Sequence, residues 1–217
     1  MRLLSPRVVL VIIIVLIEST LFAQYPPSIQ INGGIIAPGS SSEGLTTVLQ
    51  YSHPINDDFF WYISIGYSSW DKYKVTFQED YSIVQSKTLF ESYAADGHKL
   101  IPIYFGGKIV LRQLKELVSF FTAEIGYSYL SYNNYKNQKI INPETGRILD
   151  YSIDPDSREN INENLFGLGL GLGIELLHPM SKNINLQFLF KINSYLNSDY
   201  YKFYSSRAIY YNYLVII

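Results

Sequence analysis

Eight segments of this chain alternate bulky apolar residues with small or polar ones. The clearest runs from Ile184 to Asn193, where Ile184, Leu186, Phe188, Phe190 and Ile192 interleave with Asn185, Gln187, Leu189, Lys191 and Asn193. Successive strand residues point to opposite faces, so this segment has one greasy face and one largely polar face. A soluble β-sandwich alternates too. Phe166–Ile174 separates the two cases, because its bulky residues alternate with Gly167, Gly169, Gly171 and Gly173. A face of bare glycine suits a narrow barrel, whose interior must make room for large side chains from other strands, while the greasy face meets lipid. The pattern predicts a transmembrane β-barrel.

The predicted strands are Ser28–Ile36, Leu45–His53, Phe59–Ser69, Leu100–Leu111, Val118–Ser131, Leu165–Leu177, Ile184–Tyr195 and Ala208–Ile217. Short turns follow the second, fourth and sixth: Pro54–Asp58, Arg112–Leu117 and His178–Asn183. Long polar loops, Trp70–Lys99 and Tyr132–Asn164, follow the third and fifth. Short periplasmic turns alternating with longer outside loops are the connectivity of an all-β, eight-stranded, antiparallel up-and-down barrel with both chain ends in the periplasm. Within the second loop, Asn142–Arg147 reads as a hairpin tip that carries two strands beyond the membrane.

The predicted lipid-facing set includes Ile29, Ile31, Leu49, Ile63, Ile65, Ile103, Phe105, Ile125, Tyr127 and Leu170, and no charge falls on that face. Lys or Arg at the bilayer midplane costs about 2–4 kcal/mol, so this purity is informative. The charges inside the strands, Lys108, Glu124, Glu175 and Lys191, all fall on the lumen side. In a narrow lumen such charges pair or stay hydrated. Glu124 and Lys191 lie at similar depth on either side of the glycine strand, which predicts a pair across it, with Lys108 within reach.

At the N-terminus, Arg2 and Arg7 precede or flank an apolar run, Val8–Ile17, and a short segment ending at Ala23. This is the layout of a cleavable signal peptide over 1–23, with a barrel domain over 24–217. The apolar run is too short for a membrane-spanning helix, which needs about 20 residues. Without 1–23 the chain keeps 15 of 17 basic and 18 of 19 acidic residues, a net charge of 15 − 18 = −3. That balance gives no electrostatic footprint for nucleic acid. There is no cysteine, so disulfides and lipidation at Cys are excluded. The 20 Tyr residues fit aromatic girdles at two membrane interfaces.

Together, the alternating strands, leader, aromatic belts and the terminal strand Ile209–Ile217 resemble the small outer-membrane β-barrel proteins of Gram-negative bacteria. The likeness is to the OmpX type and the membrane domain of the OmpA type, over Gln24–Ile217. It implies a cell outer membrane location, contact with outer-membrane lipid and lipopolysaccharide, and delivery by the outer-membrane insertion machinery. Barrels of this family usually finish on an aromatic residue, whereas this sequence finishes on Ile217.

Some eight-stranded barrels are lipid A acyltransferases or deacylases that use a His with Ser and an acidic partner. Here His53 and His178 adjoin periplasmic turns, and His98 has Ser92 and Asp96 near it in sequence. Three common residues in a loop are weak evidence for a nucleophile held by an oriented base, so His98 reads as a solvated loop histidine and the chain as no enzyme. Asp150, Asp154, Asp156 and Glu159 offer hard oxygen ligands without calcium-loop spacing, so no metal and no cofactor is expected. The function that fits is a structural or surface-interaction barrel presenting extracellular loops to a partner the sequence does not name. The competing reading is a narrow carrier or binder of small hydrophobic molecules through the lumen or a lateral opening. What separates them is whether Tyr62, Tyr104 and Tyr210 fill the space above the glycines.

Overall fold

The computed structural model describes residues 27–39, 41–81, 86–177, 185–196 and 205–216. They form nine strands: β1 (Ser28–Pro38), β2 (Gly44–Pro54), β3 (Phe59–Trp70), β4 (Tyr73–Tyr81), β5 (Ser86–Leu114), β6 (Leu117–Ile141), β7 (Ile148–Leu176), β8 (Leu186–Tyr195) and β9 (Ser205–Ile216). All pairings are antiparallel. Starting at β1, the ladders run through β2, β3, β5, β6, β7, β8 and β9, and β9 pairs back with β1. Eight strands therefore have a hydrogen-bonded neighbour on each side, which leaves the membrane-spanning sheet no open edge. β4 stands outside this ring and pairs with β5 over Ser86–Ala95.

The faces follow the alternation. Ile31, Leu49, Ile65, Ile103, Ile125, Leu170 and Phe190 are exposed around the outside, while Asn32, Gln50, Ser64, Tyr104, Glu124 and Lys191 are buried inside. Leu170 is 57% exposed, an arrangement that water would penalise and lipid does not.

Two predicted features change. The loops Trp70–Lys99 and Tyr132–Asn164 are largely strand, because β5, β6 and β7 run on for 29, 25 and 29 residues. Alternation continues there on a polar background: Tyr73 is buried, Val75 and Phe77 are half-buried, and Lys74 and Thr76 between them are exposed. The hairpin tip at Asn142–Arg147 closes the β6–β7 extension, with the Asn142 N–H donating to the Arg147 carbonyl and Gly146 at φ +67°. The Arg112–Leu117 turn also tightens to two residues, with Lys115 at φ +55°. At Pro54–Asp58, Asn56 accepts hydrogen bonds from the N–H groups of Asp58 and Phe59, closing the turn with its side chain. The leader 1–23, the turn His178–Asn183, Ile184 and Ile217 lie outside the described residues, as does the side chain of Tyr210.

Candidate functional site

Glycine on β7 determines what the lumen can hold. A Cβ at Gly169 would stand 2.6 Å from Glu124 Cγ and Oε1, and 2.6 Å from Asn193 Oδ1. One at Gly173 would strike the Phe120 ring, and one at Gly167 the Tyr104 hydroxyl. The bare face is thus occupied space, with each glycine receiving a side chain from β5 or β6. Phe120 is 0% exposed, and Tyr62 and Tyr104 are each 2%.

Glu124 and Lys191 meet there. The register sets Glu124 opposite Gly169 and Lys191 opposite Gly171, on either side of β7. Lys191 Nζ donates to Glu124 Oε1 at 2.6 Å, and Tyr62 donates its hydroxyl to Glu124 Oε2 at 2.9 Å. Lys191 also sits 5.5 Å from the centre of the Tyr104 ring. Lys108 does not join this group. It pairs with Glu175 nearer the periplasmic end, where Asn185 Nδ2 donates to the other Glu175 oxygen at 2.9 Å and the Phe120 ring lies 4.4 Å from Lys108 Nζ. The four interior charges form two separate pairs, each neutral in sum and each given further donors or an aromatic face, as buried ions require. Beside the lower pair is a cavity of about 60 Å3 bordered by Gln30, Ser52 and Asn185. The sequence pattern places the four charges on one face and Tyr62 in the lumen, but not the hydrogen bonds that Tyr62 and Asn185 donate to the two carboxylates.

At the outer mouth, His98 is buried, not solvated. Its ring stacks between Trp70 (centroids 5.0 Å, planes 9°) and Tyr132 (5.2 Å, 15°), and Nδ1 donates to the Asp71 carbonyl at 2.7 Å. Burial in this stack lowers the His98 pKa, against weaker upward pulls from the Asp71 carbonyl bond and the Asp96 and Asp71 charges. Ser92 donates to Asn137 at 2.8 Å, and Asp96 accepts from Asn133 and Tyr135. Ser92 and Asp96 are therefore hydrogen-bonded to Asn137, Asn133 and Tyr135, while the Asp96 charge also acts on His98. Asp150, Asp154, Asp156 and Glu159 are strung along β7, with Asp150 opposite Ile140, Asp154 opposite Lys136 and Glu159 opposite Asn134.

Above the mouth the same sheet continues as β4 and the outer parts of β5, β6 and β7. Phe77 stacks on Tyr151 at 4.0 Å, so the sheet curls until β4 meets β7. Tyr93 packs edge-on to Tyr135, and Lys72 lies over the Tyr93 ring at 4.7 Å.

A closed ring of eight antiparallel strands with an apolar outer band and a polar, filled interior is the architecture of a small transmembrane β-barrel of the outer-membrane type. No family model and no curated protein matches the chain. Among solved structures it is similar to Ail, the attachment invasion locus protein of Yersinia pestis, at 10% identity and a TM-score of 0.45, over 88% of this chain and 95% of that one. The same Yersinia pestis protein in complex with the heparin analogue sucrose octasulfate matches at 11% identity and a TM-score of 0.47, over the same shares.

Proposed function

We propose that this barrel is a surface-interaction protein whose working part is the raised sheet, the membrane ring serving as its base. The continuation of β5, β6 and β7 well past the mouth carries this reading, because a barrel that only spans has no use for strands of 25–29 residues. Among the described residues, β4 pairs on one side with β5 and otherwise only through the Ser41–Tyr73 bridge. The β7–β8 ladder begins at Gly167, so outer β7 has β6 alone as a ladder partner among those residues. Unpaired strand edges present rows of N–H and C=O groups that an extended segment of another protein can take up. Passage of small hydrophobic molecules through the lumen is disfavoured by Tyr62, Tyr104, Phe120 and the two ion pairs, which occupy the channel. No enzymatic role is proposed.

The test is adhesion. Cells displaying the full barrel should bind a protein-coated surface, and cells displaying a version cut back to a short turn between Tyr132 and Asn164 should lose that binding. Equal adhesion by the two, with equal amounts of folded barrel, would remove the raised sheet from the function.

A further inference from the structure

The outer face carries one feature that the surface reading does not use. Around most of the barrel the lipid-facing positions hold Ile, Leu, Phe or Tyr. On neighbouring β5 and β6 the row breaks: Gly107 stands opposite Ala123, and both face outward. The two form the floor of an apolar groove of about 540 Å3, walled by Phe59, Trp61, Phe105 and Ile125. Its walls are braced. Trp61 stacks on Phe105 at 6.0 Å, and Phe59 leans close enough that a Cβ on Gly107 would come within 3.1 Å of its ring. The inward-facing residues Gly106 and Glu124 also contribute to the lining, between outward-facing Phe105, Gly107, Ala123 and Ile125.

We infer that this groove is a specific binding site for one acyl chain of a phospholipid in the periplasmic leaflet. Its surroundings select the occupant, because the groove is continuous with the exposed apolar band and opens to hydrocarbon, not water. The volume falls in the range of small-molecule sites, roughly 300–1,000 Å3. An unfilled notch in a bilayer forfeits packing along its whole lining, and a flexible chain is the shape that can lie between two aromatic walls. Trp61 adds a polar handle. Its indole N–H is shut off from solvent with no acceptor among the described residues. A lipid ester carbonyl reaching the groove's edge would supply one.

Trp61 is its own reporter, because the chain has two tryptophans and Trp70 can be replaced. The full barrel carrying Trp70→Phe is folded into vesicles of phosphatidylcholine brominated in mid-chain, then transferred to detergent free of brominated lipid. A retained chain keeps Trp61 emission quenched after transfer, and Ala123→Leu, which fills the floor, restores emission to that of the unbrominated control. Full recovery of emission in the parent barrel overturns the proposal, because the groove would then exchange lipid as freely as the rest of the band. Retained quenching that Ala123→Leu leaves untouched also overturns it, placing the bound lipid elsewhere. Should Ala123→Leu fail to fold, Ala123→Val makes the same comparison. The adhesion assay is independent of these outcomes.

Discussion

Glu124 shows how far one residue depends on its neighbours. Its side chain is 1% exposed, and it is held by Lys191 and Tyr62 in space that Gly169 leaves open. Removing one member of a buried pair leaves an uncompensated charge, which costs about 3–5 kcal/mol. Glu124→Gln and Lys191→Met should each lower the urea midpoint of the folded barrel, and the double variant should recover part of the loss. Strictly additive losses would mean that the two charges are uncoupled. Gly169→Leu should injure the same pair by occupying its space. His98 supports a different test. Its pKa is lowered in the folded protein, so the native ring stays neutral while an unfolded histidine titrates near about 6.5. As pH falls through that value the unfolded state binds a proton that the native state refuses, and stability drops until the lower native pKa is reached. Unfolding midpoints should therefore fall between neutral and mildly acidic pH, and His98→Gln should flatten that step. An unchanged pH profile in His98→Gln would show that the Trp70–His98–Tyr132 stack does not sense protons.

At the scale of elements, β7 does two jobs with one alternation. Leu168, Leu170 and Leu172 form a lipid-facing row, and the glycines between them admit the side chains of β5 and β6. Leu170→Arg should cost about 2–4 kcal/mol or block insertion, since it puts a charge into hydrocarbon. Asn185→Arg should be milder, because that position lies at the polar periplasmic cavity beside Glu175. Equal damage from the two, read as the folded fraction on a gel, would mean the faces are out of phase. This face assignment was legible in the sequence because period-2 alternation is strong wherever one side meets lipid. The outer strands were not. Above the membrane both faces are wetter, so Val75, Phe77 and Tyr151 stand among charged residues and the alternation reads as loop. His98 was misread for a related reason: its burial comes from Trp70 and Tyr132, which are distant in sequence and brought alongside only by the β3–β5 and β5–β6 ladders. The Lys108–Glu175 pairing was equally hidden, since it depends on depth differences of a residue or two across several strands.

For the whole molecule, closure and extension make separable demands. The ring is held by ladders in which every spanning strand has two neighbours, so unfolding has no edge at which to begin. Among the described residues β4 and outer β7 each have one ladder partner, and the raised part is tied to the ring mainly through the continuous β5, β6 and β7 and through packing at the mouth, where Ile36, Trp70, Leu100, Leu130 and Leu165 are buried together. Shortening the β6–β7 extension to a turn beyond Tyr132 and Asn164 removes strand that lies outside the ring and leaves those mouth residues in place. The shortened protein should still fractionate with the outer membrane, and it should still run as a compact band that shifts only on boiling, as the full chain should. Its boiling threshold should stay close to the parent's, because the interactions that set the unfolding barrier lie in the ring. Loss of the heat shift in the shortened protein would show instead that the raised sheet is needed to close the barrel, making base and working part a single folding unit.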